Sequence, residues 1–176
     1  MLVRLGAATD ITAVMDLVHC VVPLMRESGN LQWGDDYPNT AVFETDVAKT
    51  QLWLVEIAGR VAGIAAITTD QDPEYAQVGW DISERAIVVH RLAVDPAFRG
   101  QGVAVALMQQ AEIVASQRGI DILRIDTNTQ NEATQRLFPK LGYSLAGEIG
   151  LGFRPGLRFR CYEKRLHPQA AAGRRI

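Results

Sequence analysis

VDPAFRGQGVAVALMQQAEIV, residues 94–114, decides how this chain folds. The β-branched run ERAIVVHRLAV (84–94) leads into it as a strand and stops at Pro96, which cannot donate to a sheet ladder. Past the glycines, Val103, Leu107, Ala111 and Val114 recur at helical spacing, so the segment reads as strand, loop and helix. Between the two elements stand Arg99, Gly100 and Gly102. A tight turn would use glycines for positive φ, but it leaves the arginine unexplained. A helix N-terminus offers unpaired N–H groups and the positive end of the macrodipole. Two glycines let an anion reach that backbone, Arg99 adds a charge-assisted contact, and small Ala104 keeps the first turn clear. Residues 99–104 therefore form a candidate pyrophosphate cradle.

Two other phosphate motifs fit less well. GQGVAV approaches the dinucleotide pattern GxGxxG, with Asp121 about 20 residues on. However, Val105 replaces the third glycine, and the motif lies mid-chain instead of after the first strand. No GK[ST] follows, which excludes a P-loop.

Working outward, LVRLG opens as a short strand, and Thr9 or Asp10 caps a helix that runs to about Ser28 and ends at Gly29. SGNLQWGDDYPN is a polar turn segment, after which Asn39 or Thr40 starts a second helix. QLWLVEI and VAGIAAIT form a hairpin around Ala58-Gly59-Arg60. After the 84–94 strand and its helix come the strand ILRIDT, a helix from Asn131 to Leu141 closed by Gly142, and the strands YSLAGEI and LRFRCYEKRL. The order β-α-α-β-β-β-α-β-α-β-β lacks the alternation of a fully parallel sheet and predicts one α+β domain over residues 1–166, with 167–176 as a flexible C-terminal tail.

The 176 residues carry a formal charge of −2, which disfavours a nucleic-acid partner; Arg174 and Arg175 form a basic pair in the tail. Cys20 and Cys161 match no metal or CxxC spacing and read as reduced, partly buried thiols. The N-terminus lacks a signal-peptide pattern, and apolar runs such as residues 61–67 are too short for a bilayer, so a cytoplasmic, soluble protein without membrane or metal partners is expected.

RGQGVA resembles the (Q/R)-x-x-G-x-(G/A) signature of the GNAT superfamily of N-acetyltransferases. HRLAVDPAF is similar to that superfamily's fourth strand, and NEATQRLFPKLGY to its N-x-x-A-x-x-L-Y-x-x-x-G-F/Y segment. ESGNLQWGDDYPN and FRCYEKRL are similar to a subgroup of small bacterial members with poorly defined acceptors. The resemblance covers about residues 2–166 and implies a GNAT fold: a central mixed, mostly antiparallel twisted sheet of about seven strands flanked by about four helices.

It also implies acetyl-CoA as cosubstrate and a primary amine, on a small molecule or peptide, as acceptor, with direct attack in a ternary complex. The backbone of Leu92, Ala93 and Val94, at a bulge, would pair with pantetheine. Arg99, Gly100, Gln101, Gly102, Val103 and Ala104 would hold the pyrophosphate, and Asn131 would touch the pantetheine arm. Alkylamines are mostly protonated at neutral pH, so attack on a thioester calls for a base. His90 is the first candidate, two residues before Leu92 and on the same sheet face unless the bulge intervenes; Glu84 and Asp81 are alternatives. The family's usual acidic tyrosine is Phe138 here, followed by Pro139, which leaves Tyr162 as a weak substitute, or solvent. Tyr143 takes the family's packing position. Trp33, Asp35, Asp36, Tyr37, Trp80 and Asp81 suggest a pocket for a cationic amine, whereas Phe153, Arg154 and Arg158 suggest an acceptor carboxylate. Phe138 also keeps an alternative open, an acyl-CoA-binding regulatory module with weak or no catalysis. Members of the family often pair through sheet edges, so the resemblance allows a homodimer.

Overall fold

The computed structural model describes residues 1–166. The expected tail, with Arg174 and Arg175, lies outside the described residues. Within them the expected order is found: β1 Leu2–Leu5, α1 Ile11–Glu27, α2 Thr40–Ala48, β2 Leu52–Ile57, β3 Arg60–Thr68, β4 Ile87–Val94, α3 Val103–Gln117, β5 Ile122–Asn128, α4 Glu132–Lys140, β6 Ser144–Ile149 and β7 Phe159–Arg165. Three short 3-10 turns, Ala8–Asp10, Pro73–Val78 and Pro96–Phe98, fill the connections. The strands form one seven-stranded sheet in the order β1-β2-β3-β4-β5-β7-β6. Every pairing is antiparallel except β4 with β5.

Local chemistry sets the helix ends. At the close of α1, Gly29 takes φ 81°, and its N–H and that of Asn30 reach back to the carbonyls of Arg26 and Met25 at 3.0 and 2.9 Å. Gly119 and Gly142 end α3 and α4 in the same way, each rescuing carbonyls that the helix leaves open. Asn39 caps α2 by accepting the Val42 N–H at 3.1 Å. Asp10 precedes α1 as expected, but its carboxylate binds the Ala7 N–H and the Arg4 guanidinium instead of the helix.

Successive side chains of a strand point to opposite faces, and that alternation divides the core. Leu52 and Leu54 of β2 pack with Val14, Leu17, Val18 and Val21 of α1 and Phe43 of α2. Val55, their neighbour, packs on the other face with Val103, Leu107 and Ala111 of α3. Gly63 allows α3 to come so close, because a Cβ there would overlap Val103 Cγ1 and crowd Leu107. The stretch Ala8–Glu27, 20 residues of mean hydropathy 1.4, does reach the length and composition of a membrane span. The expectation that every apolar stretch is too short is corrected to that extent. The apolar face of this helix is occupied by the sheet. Cys161 is buried and Cys20 is exposed.

Candidate active site

The parallel pair β4–β5 is short. It holds register only at Ile87 with Leu123 and Val88 with Arg124, after which the two strands part. The β5-facing edge of β4 is left without a protein partner from Val89 onward, and a cavity of about 1280 Å³ opens there. Val89 to Val94 form one wall and Ile125 to Thr127 the other, and the N-termini of α3 and α4 close one end.

The expected bulge lies on β4. Ala66 pairs with His90 and Ile64 with Ala93, so β4 gains one residue against β3. Arg91 takes up the extra length at φ 54°, an unusual conformation for a residue with a side chain. It is held there by Asp46, which accepts two bonds from its guanidinium at 2.7 and 2.8 Å, and by the Tyr37 hydroxyl at 3.1 Å. The bulge reverses the strand's alternation: Leu92 joins Val89 against the α3 face, and His90 points to the opposite face.

At the cradle, Gly100 and Gly102 take φ 77° and 79°, a region that only glycine enters freely. The first α3 amide with an internal partner is Ala106, bonded to the Gly102 carbonyl at 2.9 Å, so the N–H groups of Val103, Ala104 and Val105 are open. Arg99 is exposed beside them and lines the cavity. Gln101 does not line the cavity; its N–H bonds the Phe98 carbonyl at 3.4 Å, and its side chain turns back toward the Ala97 carbonyl. Unpaired N–H groups at the end of a 15-residue helix, with an arginine alongside, fit a pyrophosphate. Asn131 lines the cavity, and its Oδ1 caps α4 through the Thr134 N–H at 3.4 Å, so only its amide nitrogen remains free.

His90 meets two groups that the sequence did not single out. One ring nitrogen of His90 and carboxylate oxygens of Asp72 and Asp126 lie within 4.8 Å of one another. The His90 Nε2 is 3.1 Å from the Asp70 carbonyl, which can only accept. Nε2 therefore carries the hydrogen, and Nδ1 is the nitrogen with a free lone pair in neutral His90. Burial raises the pKa of Asp126; His90 opposes that, as does the buried Tyr75, whose hydroxyl donates to Oδ2 at 2.6 Å. Burial also raises that of Asp72, with Asp126 adding to the effect and His90 opposing it. One signal for Asp126 was present in ILRIDT: an acid two residues after an arginine, on one face of an otherwise apolar strand. Asp72 and Tyr75 carried none, because a 3-10 turn distant in sequence brings them in.

Other expected site residues lie elsewhere. Glu84, Trp80 and Asp81 surround Arg124, which is wholly buried. Arg124 bonds Glu163 at 3.0 Å, Glu84 at 3.3 Å and the Asp81 carbonyl at 3.1 Å, and its guanidinium lies 4.8 Å from the Trp80 ring centre. None of the three lines the cavity. Tyr162 is buried behind Phe138, ring centres 5.3 Å apart, and also lies outside the lining, whereas Phe138 lines it. Trp33 and Tyr37 do line the cavity. The conflicting charges at the acceptor end cancel: Arg154 bonds both Asp36 oxygens, at 2.8 and 3.1 Å, and the Gln32 carbonyl at 2.8 Å, tying the loop after α1 to the β6–β7 turn. Phe153 stacks near Tyr37 at 5.7 Å, and Arg158 bonds the Glu148 carbonyl.

The fold is shared with known proteins. An acetyltransferase of the GNAT family from Streptococcus agalactiae superposes with a TM-score of 0.81 at 26% identity, over 94% of this chain and 95% of that one. An acetyltransferase from Staphylococcus aureus Mu50 gives 0.72 at 27% identity, over 95% of this chain and all of the other. The L-2,4-diaminobutyric acid acetyltransferase of Streptomyces coelicolor is 42% identical over 57 residues, 32% of this chain and 34% of that protein. The matches to curated relatives span only 33% to 46% of those proteins' lengths. The sequence model of the Acetyltransferase (GNAT) family matches residues 21–143, and the chain belongs to that family of acyltransferases.

Proposed function

We propose that the protein transfers the acetyl group of acetyl-CoA to a primary amine, on a small molecule or peptide, by direct attack within a ternary complex. The observation that carries this reading is the parting of β4 and β5 directly beside the open N–H groups of α3. A pantetheine arm would run along the free edge of β4 at Leu92, Ala93 and Val94, with its pyrophosphate on residues 99–104 and the Asn131 amide nearby. The thioester carbonyl would then lie at the bulge, where a β4 N–H near Leu92 receives the developing oxyanion. His90 takes a proton from the acceptor nitrogen through Nδ1. Phe138 can donate nothing to the departing thiolate, so that proton comes from solvent. Trp33 and Tyr37 bound the acceptor end. We read the site as working without a metal or a nucleic acid, in the cytoplasm.

Titration of acetyl-CoA, CoA and NAD, followed by thermal unfolding, tests the reading. A ligand at 100 times its Kd adds about 2.7 kcal/mol, a rise of roughly 5–10 °C in Tm for a domain of this size. The rise is expected with CoA and acetyl-CoA, absent with NAD, and lost in Gly102→Glu. A response to NAD, or none to CoA, overturns the cradle. Binding without acetyl transfer to any of a broad panel of amines would instead identify an acyl-CoA-binding module.

A further inference from the structure

The charges around the cavity do not balance. Arg91 is consumed by Asp46 and Tyr37, and Arg154, at the rim, by Asp36 and the Gln32 carbonyl. Arg99 belongs to the opposite end, at the start of α3. Asp72 and Asp126 both line the cavity, yet neither is ion-paired to a lysine or arginine among the described residues. Tyr75 occupies one oxygen of Asp126, and among the described residues no other side chain donates a hydrogen bond to Asp126 or to Asp72. Glu74 and Cys161, which also face this cluster, supply no positive charge, and Arg91, whose charge also reaches Asp72, is paired with Asp46. Two carboxylates held this close in a partly dehydrated cavity leave a place for one cation.

We propose that Asp72 and Asp126 form, with His90, a seat for the ammonium group of the acceptor, which is an alkylamine that is cationic in water and carries no carboxylate beside its nitrogen. The second condition follows because, among the described residues, the one guanidinium that lines this end of the cavity, that of Arg91, is already paired with Asp46. This inference rests on the acetyl-transfer reading and gives that reading a substrate class. It also accounts for the protons. An acceptor that enters as R–NH3⁺ and leaves as R–NH–COCH3 sheds two. The first passes to the carboxylate–imidazole cluster and frees the lone pair. That lone pair forms the C–N bond to the thioester carbon, the C–S bond breaks, and CoA leaves as a thiolate. The second proton then leaves nitrogen for the same cluster. Both pass on to solvent, which returns one to the thiolate sulfur.

Three compounds sharing a phenyl ring test the seat: benzylamine, a cation at pH 7; aniline, neutral; and phenylglycine, a zwitterion. Each is titrated into the protein saturated with CoA, following the His90 ring resonances. Benzylamine should bind at least ten-fold more tightly than the other two. The substitutions Asp72→Asn and Asp126→Asn, combined, should abolish that preference while CoA affinity stays within two-fold of wild type, which also shows that the variant is folded. Should the double variant lose its fold, the single variant Asp72→Asn carries the test with the same expectation. Equal binding of the three, no binding of benzylamine, or a preference that survives the substitutions overturns the seat. Failure of CoA itself to bind the wild type overturns the acetyl-transfer reading instead, so the two failures are distinguishable.

Discussion

Arg124 and Asp126 sit two residues apart on one face of β5, and they meet opposite fates. Arg124 is wholly buried and nearly saturated: two carboxylates, a side-chain amide, a backbone carbonyl and the face of Trp80 surround one guanidinium. Asp126 has a single hydrogen-bonding side-chain partner, Tyr75, and otherwise faces Asp72, His90 and an open cavity. The difference arises where β4 pairs with β5 and where it leaves. At Val88 the register still holds and the surrounding loops close over Arg124; beyond it the strands part and Asp126 lines the cavity. A charged residue inside a sheet is thus structural where its partners are complete, and available for chemistry where they are not.

Removing the saturated member should have the largest effect. Arg124→Ala leaves Glu84, Glu163 and Gln71 without their shared cation, and the cost expected for breaking a buried pair is about 3–5 kcal/mol, read by denaturant unfolding. On the open side, His90→Gln should leave stability nearly unchanged while lowering kcat/KM by roughly 100-fold, the lower end for loss of a general base. Glu84→Gln, in contrast, should leave kcat/KM within two-fold of wild type, because its carboxylate serves Arg124 and Arg165. An equal loss in both variants would show that the Arg124 cluster and the cavity floor act as one unit.

The subtlest difference is in pH dependence. Burial raises the pKa of Asp126, and that of Asp72, in the folded protein. Between the ordinary carboxylate range and the raised values, the folded state binds more protons than the unfolded state, so stability falls as pH rises through that window. Asp126→Asn should remove part of this loss, raising Tm more at pH 8 than at pH 4 while acetyl transfer declines. A variant that gains nothing at pH 8 would mean that Asp126 is as well satisfied as Arg124. Asp10 and Asp36 work in the other sense. Hydrogen bonds from Arg4 and Arg154 hold their pKa values below the usual range, and their contribution is lost on acidification.

Most of the fold was legible because its signals are local. Helix-ending glycines at 29, 119 and 142, the Asn39 cap and the turn at 58–60 each act within a few residues, and the structure uses them all. The glycine turn and open start of α3 were legible for the same reason, since a helix N-terminus and the glycines before it are neighbours in sequence. Glu84, Trp80 and Asp81 flank β4 in sequence but do not line the cavity, and sequence proximity cannot tell which end of a strand opens. Alternation on β7 does not reveal that Phe138 stands between Tyr162 and the cavity. Asp36 and Arg154 gave contradictory hints about the acceptor until 118 positions of separation collapsed into a bidentate pair.

The sequence by itself determined the order of elements, the glycine turn before α3 and the family resemblance, all of which rest on periodicity, capping and short motifs. Only the tertiary structure decided that β4 parts from β5 after Val88, that Arg91 takes up a bulge turning His90 away from Leu92, and that Asp72, His90 and Asp126 meet. Those three come from a turn and two strands separated by up to 54 positions, and nothing in local chemistry brings them together. Their meeting depends on sheet register, which is set by packing across the whole domain.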